Sequence, residues 1–283
     1  KPVLSSYLQN VIVPLITILL GSIFYYLEKI NLISATQSLA SGALVALIVS
    51  VFLWRKIFKS VTKTTIRFIQ IIKEGWPMLL ITSGGLIMAW SDIIIIGIFG
   101  TTKELGIYSA ASRTVLVTSL ILVAMNSITA PKYAKLYKAM DIKQLERLVQ
   151  NSFKILTSIV IIPAVILLIF PEWILSWFGN EFTAGATILV ILSVGQVINV
   201  VCGSVGYILS MTEKERVVQK IVFTSAAINI ILSLLFFQEF GTYGVALATT
   251  ISIIIWNIWS MIEIKKHLGF WTINLYAFQR GKK

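Results

Sequence analysis

Apolar stretches of about 20 residues recur along the whole chain, and no other feature of the sequence constrains the fold as strongly. Each stretch can cross a bilayer as a helix, because a helix satisfies its own backbone hydrogen bonds in lipid. With only 13% of its residues charged, the chain cannot be an ordinary soluble enzyme. Hydropathy predicts an all-α, polytopic membrane bundle with about eight spans, near Leu8–Leu27, Ser38–Trp54, Trp76–Phe99, Leu105–Ile128, Ile155–Phe170, Ala184–Met211, Val217–Phe237 and Thr242–Ile264.

The basic residues mark one side of this predicted bundle. Of the 24 Lys and Arg residues, all but Lys29, Lys103 and Arg113 lie in alternate connecting segments or at the termini. The positive-inside rule therefore predicts that both termini and the basic segments are cytoplasmic. The net charge of +12 is explained by this topology. Since no basic face carries interleaved aromatic residues, we expect no nucleic-acid partner. The basic segment Pro131–Lys154 has helical spacing and is predicted to be an amphipathic helix at the membrane interface.

Two charged residues fall inside predicted spans, where each costs roughly 2.5–3.5 kcal/mol on insertion scales. Asp92 lies about 10 Å and Arg113 about 12 Å from the outer ends of two consecutive spans, at 1.5 Å per residue. A short turn joins the spans, so the two side chains reach matching depth. One interpretation is an ion pair that fixes the helical hairpin. The other, which we favour, is a pair of polar groups that face a water-filled substrate cavity.

Uncharged polar residues form stripes on later spans. The stripes are Ser193, Gln196, Asn199, Gly203 and Tyr207; Ser225, Asn229 and Ser233; and Thr250 with Asn257. Hydrogen bonds between helices explain any one of these residues. Several stripes in one chain favour a shared hydrophilic lumen. The predicted substrate cavity therefore contains Asp92, Arg113, Gln196, Asn199, Asn229 and Asn257.

The sequence carries no motif of a catalytic, cofactor or metal site. Cys202 and His267 are the single cysteine and the single histidine of the chain. Neither a cysteine-based nor a His-His metal motif can therefore form. There is no glycine-rich phosphate loop and no nucleophile elbow. We expect a protein that is not an enzyme and that needs no cofactor or metal.

Several short segments between Arg67 and His267 occur in an order and spacing typical of one transporter family. They are Gly75-Trp76-Pro77, Asp92 to Gly97, Leu105 to Ala111, Pro131 to Tyr137, Trp177 to Phe182, Asn229, and Phe240 to Ala246. In these segments the chain resembles the Wzx-type polysaccharide flippases of the multidrug/oligosaccharidyl-lipid/polysaccharide (MOP) superfamily. Members have twelve or fourteen helices in two bundles, and a cavity between the bundles carries undecaprenyl-diphosphate-linked oligosaccharide.

The resemblance implies three regions: residues 1–66 with the last two helices of the first bundle and a basic linker, 67–268 with the six-helix second bundle, and a cytoplasmic tail at 269–283. It implies a multi-pass protein of a bacterial inner membrane that acts in surface polysaccharide synthesis, such as that of lipopolysaccharide O-antigen. Polysaccharide polymerase and assembly proteins are the implied partners. Arg113 stands where a cavity arginine would bind the diphosphate, and a guanidinium can engage phosphate oxygens bidentately.

Alternating access by two rocking bundles is the mechanism that we expect. One alternative is an exporter of another solute from the same superfamily; a cavity for cationic drugs would favour carboxylates, of which only Asp92 is present. A second alternative is a membrane-embedded glycosyltransferase or polymerase, which needs acidic or histidine residues on sizeable loops. Because the chain begins at Lys1 without Met, we expect an N-terminally truncated chain that does not transport by itself.

Overall fold

A computed structural model describes residues 13–26, 32–57 and 68–273, and the regular elements in those ranges are all helical. The α-helices are α1 (Val13–Tyr26), α2 (Leu32–Ile57), α3 (Phe68–Phe99), α4 (Thr102–Lys138), α5 (Ile142–Ile169), α6 (Pro171–Ser176), α7 (Ala186–Cys202), α8 (Val205–Met211) and α9 (Glu215–Leu268). A 3₁₀ helix, Asn180–Gly185, precedes α7. The prediction of an all-α, polytopic bundle is confirmed.

The chain divides into two compact units, residues 1–66 and 67–283. In the first unit, α1 packs against α2. The first predicted span, Leu8–Leu27, is described only over α1, and the basic residues between α2 and α3 lie outside the described ranges. The second unit holds α3 to α9 and every residue that the sequence predicts for the substrate cavity.

Among the described residues, five helical segments are long and apolar enough to cross a membrane: Gly75–Phe99, Thr102–Lys138, Ile142–Ile169, Asn180–Met211 and Glu215–Leu268. The last, α9, has 54 residues. At 1.5 Å per residue this is about 81 Å, far more than the roughly 30 Å of a hydrocarbon core. Gly241 (φ 56°, ψ −137°) interrupts the helix. A hydrogen bond joins the two parts, from Asn229 in residues 215–240 to Thr249 in residues 242–268. α9 is therefore a hairpin of two arms, as the two separate predicted spans require.

The helix α7 lies at the centre of the second unit. It packs against α4, α5 and α9. Half of the most apolar part of its segment, Asn180–Met211, is buried, compared with 22–33% in the other four segments. Two clusters of apolar side chains hold the unit together, one around Ile96, Ala111 and Leu189 and the other around Tyr133 and Leu209. The remaining apolar surface faces outward, with Ile98 and Ile162 more than 60% exposed. Such an exterior suits a lipid environment, where apolar surface carries no penalty.

The prediction of one amphipathic helix over Pro131–Lys154 is wrong, because two helices share this segment. The helix α4 continues through Pro131 to Lys138, and α5 begins at Ile142. A turn separates them, because Met140 takes a left-handed conformation (φ 57°) and the Asp141 carboxylate accepts a hydrogen bond from the Gln144 backbone at 2.9 Å. Side chains such as Asp141 compete with helical hydrogen bonds and favour helix starts, so the basic segment is the end of one long helix and the start of the next.

Candidate functional site

A cavity of about 320 Å³ opens within the second unit, at the level of the two intramembrane charges. We call it the charged cavity. Three of the predicted residues line it, namely Asp92 on α3, Arg113 on α4 and Gln196 on α7. Its other polar lining residues are Tyr108, Ser112 and Thr249, and most of the rest are apolar. The helices α3, α4, α7 and the second arm of α9 thus contribute to one space.

The Asp92 carboxylate is 7% exposed and is held by hydroxyl groups from two other helical segments. Its Oδ2 accepts hydrogen bonds from the Tyr108 hydroxyl at 2.6 Å and from the Thr249 hydroxyl at 2.7 Å. Asn229 donates through Nδ2 to Thr249 Oγ1 at 3.1 Å, and Ser91 donates to Asn229 Oδ1 at 2.6 Å. We call this the Asp92 network. It ties α3, α4 and both arms of α9 together through Oδ2 of Asp92, while Oδ1 of the same carboxylate is buried and bonds to no described group.

A tight turn at the ends of α3 and α4 brings Asp92 and Tyr108 face to face. Thr101 caps α4: its Oγ1 accepts from the Glu104 backbone at 3.2 Å, while the Glu104 carboxylate accepts from the Thr101 backbone at 2.7 Å. This reciprocal capping satisfies two backbone donors and fixes where α4 begins. The turn thereby sets the register in which α4 runs back along α3.

Arg113 lines the same cavity but forms no ion pair with Asp92. In the described part of the chain, the ion pairs within 4.0 Å are those of Glu263 with Lys266 and His267. The reason lies in the helical period, since Tyr108 and Arg113 are five residues apart and point about 140° away from each other around α4. Asp92 faces Tyr108, so the guanidinium of Arg113 stays exposed and unneutralised. The ion-pair interpretation is therefore wrong.

A second cavity, of about 280 Å³, adjoins the first, and its lining combines apolar side chains with uncharged polar ones. We call it the amide cavity. The two cavities share Gly85, Met88 and Ile253 as lining residues. The polar and aromatic side chains that line the amide cavity are Asn126, Asn199, Ser204, Tyr207 and Trp256.

A chain of side-chain amides runs behind both cavities. Asn257 donates to Asn199 Oδ1 at 3.1 Å, and Asn199 donates to Gln196 Oε1 at 3.2 Å. Asn257 is fully buried and also donates to the Ile253 carbonyl at 2.8 Å. These amides join α7 to the second arm of α9 and link the lining of one cavity to that of the other.

The predicted residues thus fall into two groups. Asp92, Arg113 and Gln196 line the charged cavity, and Asn199 lines the amide cavity. Asn229 and Asn257 are fully buried and act behind the cavity walls, through Thr249 and Asn199. The serines of these stripes also turn inward: the hydroxyls of Ser193, Ser225 and Ser233 are buried and bond to no described group.

Sequence reasoning missed four residues of these sites: Ser91, Tyr108, Asn126 and Thr249. Serine and threonine are common in apolar helices, where they bond to their own backbone, so Ser91 and Thr249 gave no distinct signal. Tyr108 is an aromatic residue in an apolar span and gave none either. Asn126 is the only amide between Leu105 and Ile128 and could have been found by the same cost argument that singled out Arg113.

The arrangement offers three kinds of chemistry. The Asp92 network presents oxygen ligands to a proton or a hard cation, although no group of three or more His, Cys, Asp or Glu side chains meets within the described ranges. Arg113 presents a fixed positive charge with forked donors that match phosphate. The amides of the second cavity can both donate to and accept from hydroxyl groups.

Two family models match the chain. The model described as polysaccharide biosynthesis protein matches residues 2–137, and the model described as MatE matches residues 77–235, which is more than half of the 283 residues. A probable low-salt glycan biosynthesis flippase, Agl15, from Haloferax volcanii is 30% identical over 171 residues. That match covers 60% of this chain and 36% of the relative, so the chain spans well under two thirds of the relative's length.

Solved structures share the fold. A MATE protein in its bent conformation superposes with a TM-score of 0.74 at 15% identity, covering 94% of this chain and 62% of the MATE protein. The lipid II flippase MurJ, in an inward closed conformation, superposes with a TM-score of 0.70 at 20% identity, covering 90% and 54%. These likenesses show the fold, and the family model over residues 77–235 shows that the chain belongs to the MatE family of the MOP superfamily.

Proposed function

We propose that the chain is the second bundle, with two helices of the first, of a transporter that flips polyprenyl-diphosphate-linked oligosaccharide across the cytoplasmic membrane. The observation that carries the proposal is the exposed, unpaired guanidinium of Arg113 in a cavity at membrane depth. An arginine at membrane depth is costly, so its position in such a cavity indicates an anionic partner that comes and goes. A diphosphate provides that charge and matches the forked donors of the guanidinium.

The surroundings of Arg113 strengthen this interaction. Apolar side chains, among them Met88, Ile93 and Leu116, line much of the charged cavity and lower the local polarity. Coulombic attraction increases as the effective dielectric constant falls. Asp92 would weaken the attraction if it paired with Arg113, but Tyr108 and Thr249 occupy the carboxylate oxygen Oδ2. The guanidinium of Arg113 therefore remains free to bind an anionic head group.

The comparisons support a glycan lipid as cargo. The relative from Haloferax volcanii is named as a flippase of glycan biosynthesis, and MurJ is named as a flippase of lipid II. For this chain we propose that the head group crosses through the polar cavities while the polyprenyl tail stays in the bilayer. Residues 1–66 supply two helices of a first bundle, residues 67–268 form the second, and rocking of the bundles alternates access to the cargo.

The proposed orientation places both termini, the tail at 269–283 and the basic segments in the cytoplasm, following the positive-inside rule. In a bacterium this membrane would be the inner membrane, and the cargo would be a repeat unit of a surface polysaccharide such as O-antigen. The transporter would then deliver its cargo to a polysaccharide polymerase and to assembly proteins. These partners would act on the outer face, where the cargo arrives.

Mass spectrometry of lipid-linked intermediates in cells that lack the gene tests the proposal. The expected result is accumulation of a complete oligosaccharide on polyprenyl diphosphate, confined to the inner leaflet. Accumulation in the outer leaflet would instead assign a polymerase or transferase role. The absence of accumulation, in cells shown to make the lipid and to have no second flippase, would favour an exporter of another solute.

A further inference from the structure

We propose that the amide cavity binds an uncharged sugar of the cargo, as a subsite separate from the place where Arg113 holds the diphosphate. The inference rests on the proposed flippase function and adds the chemical class that the second cavity recognises. No charged side chain is among the residues that line this cavity, in contrast to Asp92 and Arg113 in its neighbour. A site that binds without charge must recognise its ligand through hydroxyl groups and apolar faces.

Asn126 supplies the first part of the argument. Its side chain is 7% exposed and lines the amide cavity, and its Oδ1 bonds to no described group. A buried amide oxygen without a partner costs about 1–3 kcal/mol. Leaving it next to a cavity is reasonable when a ligand hydroxyl donates to it. Asn199, across the same cavity, offers a second amide that is held in place by Asn257.

The backbone supplies the second part. The helix α7 ends at Cys202 and α8 begins at Val205, so the helical path breaks inside the apolar segment Asn180–Met211. Gly203 (φ 78°, ψ −153°) makes the break, and its backbone N–H donates to the Val200 carbonyl at 3.0 Å. Broken helices at membrane depth are tolerated where they are buried in protein or line a polar space. Gly203 and Ser204 both line the amide cavity, and the Ser204 hydroxyl is buried and bonds to no described group.

Aromatic side chains supply the third part. Trp256 and Tyr207 line the cavity, and Tyr207 is 50% exposed. The Trp256 ring lies beside Gly206, where an added β-carbon would stand 3.4 Å from its Cζ2 atom, at van der Waals contact. An aromatic face offers a flat apolar surface to the C–H side of a sugar ring, while the amides bond to the ring's hydroxyl groups.

The two cavities are spaced for one elongated ligand. Arg113 and Asn126 are thirteen residues apart on α4, which is about 20 Å along the helix axis. Because the cavities adjoin at Gly85, Met88 and Ile253, a head group whose diphosphate binds Arg113 can extend continuously into the amide cavity. The subsite would therefore hold a sugar some units away from the diphosphate.

The test compares two lipids on the intact gene product in nanodiscs: undecaprenyl diphosphate, and the lipid-linked oligosaccharide purified from cells that lack the gene. Equilibrium binding is measured for the wild type, Asn126→Leu, Arg113→Ala and the control Asn151→Leu, which removes an exposed amide on α5. Asn126→Leu should weaken binding of the oligosaccharide lipid about tenfold and leave undecaprenyl diphosphate unchanged. Arg113→Ala should weaken both, and the control neither.

An equal loss for both lipids in Asn126→Leu, or no loss for either, would overturn the subsite while leaving the flippase proposal standing. If the wild type binds neither lipid, the proposed function itself fails. Should Asn126→Leu not fold, the wild type decides alone: it must bind the oligosaccharide lipid at least about tenfold more tightly than undecaprenyl diphosphate. Equal affinities, or a cargo that contains no uncharged sugar, would contradict the inference.

Discussion

The charged cavity and the amide cavity share a wall, but different side chains hold their buried polar groups. In the charged cavity, hydroxyl groups of Tyr108 and Thr249 hold the Asp92 carboxylate and leave Arg113 free. At the amide cavity, Asn257 holds Asn199 from behind the wall, and Asn126 Oδ1 bonds to no described group, as Asp92 Oδ1 does in the charged cavity. The difference teaches that one bundle can bind a charged group in one cavity and hydroxyl groups in the cavity beside it.

The largest effect that we predict is on Arg113. Arg113→Ala should lower transport on the order of 100-fold, because two charge-assisted hydrogen bonds to the diphosphate disappear. Arg113→Lys should restore it only in part, since an ammonium cannot bond bidentately. The measurement is the amount of surface polysaccharide in complemented cells, normalised to the protein in the membrane. Arg147→Ala, at an exposed arginine of α5, is the control. Normal transport by Arg113→Ala would remove the functional contrast between the cavities.

Next in size is the loss of a donor to Asp92. Tyr108→Phe should lower the free energy of unfolding by about 1.5–3 kcal/mol, because a buried hydrogen bond to a charged group is lost. Thermal unfolding in detergent measures this as a lower apparent Tm. Tyr243→Phe, at a tyrosine that is 43% exposed, should change little. Equal shifts in both variants would mean that the Asp92 network does not stabilise the charged cavity.

On the amide side, Gly203→Ala should cost about 1–3 kcal/mol, since its backbone conformation is one that residues with a β-carbon rarely adopt. A steric clash is not the cause, because the added β-carbon would stand 3.7 Å from the nearest atom, on Leu156. Gly106→Ala, in open space on α4, should be neutral or slightly stabilising. The measurement is the Tm of the two variants under the same conditions. An unchanged Tm in Gly203→Ala would show that α7 and α8 need no break.

The smallest effect concerns the turn that joins the two helices of the charged cavity. Thr101→Ala should cost about 1 kcal/mol, because the helix cap on the Glu104 backbone is lost. Thr102→Ala, one residue further along, keeps the cap and serves as the control. Binding of undecaprenyl diphosphate should stay within about twofold of the wild type in both, since neither residue lines the cavity. A large loss of affinity in Thr101→Ala would show that the turn contributes to binding of the diphosphate.

Much of the fold was predictable because hydropathy reports directly on what a bilayer demands. Hydropathy predicted two separate spans for the two arms of α9, which meet at Gly241 within one run of 54 residues. It could not locate the break at Gly203, since Cys202, Gly203 and Ser204 keep the segment apolar enough to read as one span. The basic residues between Pro131 and Lys154 were misread because charge on a helix end and charge on an interfacial helix have the same period.

The candidate site was predictable where a residue was costly. Asp92 and Arg113 could be found because a charged residue in lipid is energetically costly. The absence of an ion pair between them could not be predicted, because it depends on the rotation of α4 that places Tyr108 opposite Asp92. Gln196 and Asn199 were found by spacing, and both line cavities. The role of Thr249 could not be seen in the sequence, since only the fold brings it 2.7 Å from Asp92.

Flipping in proteoliposomes tests the central claim most directly. The intact gene product is reconstituted with the lipid-linked oligosaccharide purified from cells that lack the gene, and the glycan is labelled from outside with an impermeant reagent. The wild type should expose nearly all of the glycan over time, whereas Arg113→Ala should expose only the half already in the outer leaflet. If the wild type, shown by its thermal unfolding to be folded, leaves the inner half unlabelled, the chain is not part of a glycan-lipid flippase.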